Sequence, residues 1–129
     1  MKTGAISLSL ALILVGAGAG VSYGQSQAEG KKLYTNFCSA CHGDTGKGDG
    51  PSGRALPARP ADHTNGAVMN QMNDKFLVDL ITKGGSAVGK SSFMPAWGGS
   101  FNDKQIRDVL AYIRGLAVPP YRPESPAAK

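Results

Sequence analysis

Cys38-Ser39-Ala40-Cys41-His42 constrains this chain more than any other stretch. Both cysteines of the 129-residue sequence lie in it, and a histidine follows the second directly. Residues three apart on a helix share a face, with Cβ atoms roughly 5–6 Å apart. The fold must therefore present two thiols and an adjacent imidazole to one common object. A thioredoxin-like redox disulfide needs a βαβ setting, and no stretch alternates long enough to make a strand. A zinc site needs a fourth soft ligand, and beyond the motif there is only His63. Two thiols at this spacing suit the two vinyl groups on one edge of a haem, and His42 is then held where an imidazole nitrogen can take the iron. Ser39 and Ala40 are too small to obstruct the ring. The motif predicts covalent haem on Cys38 and Cys41, with His42 as one axial ligand.

The rest of the chain reads as helices joined by glycine-rich loops. Ser26 with Glu29 forms a capping box for a first helix. Leu33, Tyr34, Phe37, Cys38 and Cys41 then fall on one face up to about His42-Gly43. Asn73 caps a second helix, whose apolar stripe is Phe76, Leu77, Leu80 and Ile81 and which Gly84-Gly85 terminates. Asn102 and Gln105 open a third, with Phe101 stapled on Ile106 and a stripe of Ile106, Val109, Leu110, Ile113 and Leu116. Pro119-Pro120 stops it. A short helix fits within Gly66 to Gln71. Gly43 to Gly53 holds five glycines, and Gly84 to Ser100 is similar, so both loops can lie close to a bound group.

Residues 1–24 read as a secretory signal, with Lys2 at the start and an uncharged run from Gly4 to Val21. Eighteen apolar residues can also serve as an uncleaved anchor. Either way the domain, residues 25–118, is expected to be exported to a periplasm. Residues 119–129, with four prolines, read as an extended flexible tail. Two cysteines exclude a disulfide-rich scaffold, and charged residues at 18% exclude a highly charged disordered chain. The net charge is +5, or +4 without residues 1–24, and modestly favours partners with acidic surfaces. It does not point to nucleic acid, because no Lys/Arg cluster is dense enough.

Haem iron has a sixth position, and Met94 is the candidate for it. Pro95 forces Met94 into extended backbone, and an irregular loop can carry a thioether across a haem face. A soft thioether raises the iron's reduction potential. Met69 and Met72 are its rivals, on or beside predicted helices.

From Ala28 to Ala117 the chain resembles class I c-type cytochromes, particularly small bacterial single-haem ones. Three features occur in that family's order: CxxCH near the first helix, Met94-Pro95-Ala96-Trp97 downstream, and a last helix reading Asp108-Val109-Leu110-Ala111-Tyr112-Ile113-Arg114. The resemblance implies an all-α cytochrome c fold, three main helices plus loops wrapped around one haem c with its iron. It implies that Gly30 and Tyr34 meet the Val109 and Tyr112 face where the first and last helices cross. It assigns the carbonyl of Pro51, in Gly50-Pro51, to the second nitrogen of His42, and sets Trp97 beside the haem with its indole N–H near a propionate. Arg54 and Arg59 can pair with propionates or simply face solvent. His63 departs from the family, where an aromatic residue is common, and is either a surface or packing histidine or a second imidazole ligand.

The function implied is one-electron transfer between a redox donor and acceptor by a periplasmic carrier that is not itself an enzyme. The alternatives are a membrane-associated cytochrome subunit of an oxidase or dehydrogenase, and a haem enzyme or gas-binding protein with an open sixth site. A membrane is involved only if the amino-terminal segment is retained.

Overall fold

A computed structural model describes residues 24–123. The signal or anchor reading falls on residues 1–24 and so lies, but for Gly24, outside the described residues. Five α-helices follow in order: α1 Gln27–Phe37, α2 Ser39–His42, α3 Gly66–Met69, α4 Asp74–Lys83 and α5 Asp103–Leu116. Short 3-10 turns stand at Gly53–Ala55 and Ser86–Val88. Among the described residues no strand forms, and one isolated parallel bridge joins Asn65 to Val118.

Helix α1 begins at Ser26, whose Oγ accepts from the Glu29 N–H at 3.2 Å. The capping box expected there is only half made. The Glu29 carboxylate bonds Lys32 instead, and the Ser26 N–H donates to Asp108 on α5 at 2.7 Å. The first helix is also not continuous to His42. It ends at Phe37, and Cys38 is the hinge into α2. Ser39 Oγ donates back to the Thr35 carbonyl at 2.7 Å. Such a side-chain bond competes with the helix ladder and bends it.

The α1–α5 crossing is the centre of the core. A Cβ on Gly30 would stand 1.9 Å from the Asp108 carbonyl oxygen, so only glycine allows this approach. One turn on, Tyr34 is fully buried beside Val109, with its ring edge-on to Tyr112 at 5.0 Å. Ile106, Val109, Leu110 and Ile113 are buried along α5 as its stripe predicts, while Leu116 is only partly so. The Asn102–Gln105 capping box is complete, and Phe101 and Ile106 both enter the core. Helix α4 adds Leu77 and Ile81 to that core, with Phe76 and Leu80 packed at its margin. Its N-cap bond runs from the Phe76 N–H to Asn73 Oδ1 at 2.8 Å.

Of the segment expected to be a flexible tail, residues 119–123 are described, and with Val118 they make contacts back to the domain. Val118 N–H donates to Thr64, Gly66 N–H donates to Val118, and Asn70 Nδ2 donates to Pro119. The Tyr121 ring lies 3.5 Å from the Arg114 guanidinium. Arg114 in turn donates to Asp74 and to the Met69 and Met72 carbonyls, tying α5 to the α3–α4 connection. Prolines give the segment its extended form, but backbone partners on the α3 loop and a cation under the Tyr121 ring hold it down.

Candidate haem site

Helices α1 and α2, the Leu56–His63 segment, α3, α4, the Lys90–Trp97 loop and Val109 and Ile113 of α5 line a partly open cavity of about 390 Å³. Its wall carries Cys38, Cys41 and His42 together, as the motif predicts, and both cysteines are free thiols. The α1–α2 hinge sets the two thiols on this wall. Burial, then the neighbouring Cys41, pushes the Cys38 thiol up to about 11.

His42 Nδ1 lies 3.2 Å from the Ala61 carbonyl oxygen. That bond keeps a proton on Nδ1 and leaves the Nε2 lone pair for a metal. Burial lowers the imidazole's proton affinity, against the pull of the Ala61 bond, so the ring is neutral and able to ligate. The carbonyl assigned to Pro51 is thus supplied by Ala61. Pro51 is exposed and lines a separate surface hollow with Asp44 and Asp49. A backbone carbonyl leaves no residue-type signal, and the loop path that delivers Ala61 is a tertiary feature. His63 N–H donates to the Gly46 carbonyl at 2.7 Å and pins that path.

Met94 reaches the cavity wall, half-buried, from the irregular loop where it was expected. Gly84, at φ +80, turns the chain sharply off the end of α4. Gly85 N–H then donates to the Met94 carbonyl, and Trp97 N–H donates to Ile81, which lays the Met94–Trp97 segment across α4. Met69 and Met72 line the same cavity, Met69 as a fully buried core residue. Trp97 also faces it, stacked on Phe101 at 5.3 Å and edge-on to Phe37 at 5.6 Å. Arg59 stands on the cavity wall. Arg54 does not; its Nε donates to the Asp49 carbonyl. Lys90, which the sequence did not single out, is on the wall too. Phe37, Val68 and Phe93 line the same cavity yet remain about half exposed.

His63 is buried inside the cavity. Its ring stacks on His42 with centroids 4.3 Å apart and planes 19° from parallel. Tyr34 Oη bonds its Nδ1 at 3.2 Å. Burial first, and then His42, pushes its pKa down to about 3.

Residues 25–113 match the family described as cytochrome c oxidase, cbb3-type, subunit III. The chain belongs to this family of c-type cytochrome domains. The cytochrome is 32% identical over 93 residues to the cbb3-type cytochrome c oxidase subunit CcoP of an Azospirillum species, covering 69% of this chain and 28% of that one. It is 28% identical to the corresponding subunit FixP of Bradyrhizobium diazoefficiens, covering 72% and 28%. The gluconate 2-dehydrogenase cytochrome c subunit of Pantoea cypripedii is 32% identical, with 71% and 21% covered. The cytochrome thus spans under a third of the length of these relatives. A chain of the Kuenenia stuttgartiensis reducing HAO-like protein complex shares the fold, with a TM-score of 0.59, 22% identity, and 78% and 49% covered.

The cavity fits the haem c that this family implies. Two free thiols, one neutral imidazole with its second nitrogen occupied, and a thioether all meet one largely apolar cavity. That is the donor set of covalent haem with a soft sixth ligand. Arg59 and Lys90 place two cationic side chains on the same wall.

Proposed function

We propose that this cytochrome is the electron-transfer subunit of a membrane-associated oxidase or dehydrogenase complex, exported to the periplasmic side. It would hold one haem through Cys38 and Cys41, with His42 and Met94 as axial ligands, and perform no substrate chemistry of its own. When bound, haem iron supplies a one-electron couple. The protein's part is to bind and orient that group. The thiols fix it to the α1–α2 wall, the Ala61 carbonyl holds the Nδ1 proton and turns His42, and the apolar wall from α4 and α5 keeps water away. Trp97 closes the cavity near Met94, and Arg59 and Lys90 are placed to neutralise propionates.

The convergence of Cys38, Cys41 and His42 on one cavity wall carries the electron-transfer reading. The subunit reading is favoured over a free carrier by the names of the relatives, which are subunits of a cbb3-type oxidase and of a gluconate dehydrogenase. The partners are a redox donor and acceptor, with acidic patches suited to this basic chain. Native mass of the protein, extracted from its source membranes in mild detergent, tests the assignment. Co-migration with an oxidase or dehydrogenase activity is expected. Recovery of the cytochrome alone, in the soluble periplasmic fraction, would make it a free carrier. Rapid carbon monoxide binding by the reduced protein would mean an open sixth site, and so a haem enzyme or gas-binding protein.

A further inference from the structure

His63 is the buried residue at the site that the donor set leaves without a task. Its geometry decides between its two readings. Two imidazoles that ligate one iron from opposite faces meet end to end across the metal. His42 and His63 instead lie face to face, 4.3 Å apart at their centroids and 19° from parallel. Tyr34 Oη bonds Nδ1 of His63 and holds the ring there. The face-to-face stacking makes His63 a packed ring, not a second ligand.

It is packed in a particular way. An imidazole hydrogen-bonded at Nδ1 alone can still swing about the axis through that bond. His42 has such a bond, to the Ala61 carbonyl. A flat ring against its face removes the swing. Ala61 and His63 are two residues apart on one segment, so that segment grips His42 at its edge and its face together. The His63 backbone is fixed by its N–H bond to Gly46, and its side chain by Tyr34. Tyr34 has no freedom of its own: it is fully buried at the α1–α5 crossing, against Tyr112.

We infer that His63 is a positioning residue that sets the ring plane of His42, and that Tyr34 tethers it, so that the α1–α5 crossing fixes the orientation of the axial imidazole. The inference rests on His42 being the haem ligand, as proposed above. A ligand plane held in this way is read directly by the ferric holoprotein. The four haem methyl groups take unequal unpaired spin density according to the direction of the imidazole plane, so the order of their proton resonances reports it.

The experiment compares the ferric wild type with His63→Phe, His63→Leu and Tyr34→Phe, each as covalently loaded protein. Phe and Leu both fill the space, but only Phe presents a ring face. His63→Phe keeps a ring face but loses the Tyr34 bond, so it is expected to keep the wild-type order of methyl resonances and to shift them only as far as Tyr34→Phe does. His63→Leu is expected to reorder them while staying low-spin, and Tyr34→Phe to shift them in the same direction as His63→Leu. A wild-type pattern in His63→Leu, or an equal change in Phe and Leu, would overturn the role of the ring face. An unchanged pattern in Tyr34→Phe would overturn the tether, and this near-isosteric variant decides the matter if His63→Leu does not fold. A high-spin ferric spectrum in His63→Leu would make His63 an iron ligand and overturn the inference outright. If instead the wild type releases its haem into acidified organic solvent, the covalent-haem proposal fails, not the positioning of His42.

Discussion

Met94 is one of three methionines on a single cavity wall, and backbone geometry separates it from the others. Met69 sits in α3 with its side chain spent on the core, and Met72 follows within a turn whose carbonyl is held by Arg114. Met94 lies on a loop folded over the end of α4, where its N–H donates to the Ser91 carbonyl just before Pro95. Met94→Ala is expected to open the iron to carbon monoxide and to abolish the weak near-infrared band of sulfur–iron charge transfer. Met94→His should keep the site closed and lower the potential, because imidazole favours ferric iron over the thioether's preference for ferrous. Near-infrared spectra and potentiometry of the three proteins check this; a band that survives in Met94→Ala transfers the role to Met69 or Met72.

At the scale of the elements, the α1–α5 crossing is where small changes cost most. Tyr112, on the crossing face expected of it, proves to be only partly buried, while Tyr34 is 0% exposed. Tyr34→Ala is therefore expected to cost about 3–5 kcal/mol, the range for large-to-small aromatic changes in a core, and Tyr112→Ala less. Gly30→Ala should cost about 1–3 kcal/mol by overpacking, since the new Cβ meets the α5 backbone. Denaturant titration of the holoproteins measures both. The same crossing carries a pH dependence. Burial by itself raises the Asp108 carboxyl, but bonds from Lys104 Nζ at 2.6 Å and from the Ser26 N–H outweigh it and hold the pKa below 3.8. A depressed carboxylate stabilises the fold above its ordinary pKa, and that contribution is lost as pH falls through the lower folded value. Asp108→Asn should thus destabilise the protein at neutral pH. The gap to wild type should narrow as pH drops below 3.8, as thermal melts across that window would show.

The whole molecule is organised around a cavity of about 390 Å³, lined by residues of the core itself. A domain of about a hundred residues buries too little surface to tolerate such a void easily. Anything that binds the folded state alone stabilises it by mass action. The double variant Cys38→Ser, Cys41→Ser is expected to be largely unfolded by circular dichroism when isolated without haem, and a native-like spectrum would show that the helices assemble unaided.

Cys38, Cys41 and His42 were legible as one group, because their spacing is local, although the wall they share is set at the α1–α2 hinge and not along one helix. So were the caps at Asn73 and Asn102 and the buried stripe of α5, for the same reason. Met94 was legible too, through the proline that follows it. What the sequence could not carry was any choice made between distant segments. The Ala61 carbonyl displaced Pro51 because a backbone oxygen has no residue signature and its position depends on how the loop crosses α2. Asp108 took the Ser26 N–H from Glu29, which halved a capping box that looked complete. Ser39 bent the first helix into two, and α3 and Arg114 held down a segment that proline alone would leave extended and free. Above all, the stacking of His63 on His42 belongs to the tertiary structure. Twenty residues lie between them in the chain, and only the fold decides that the two imidazole rings meet face to face.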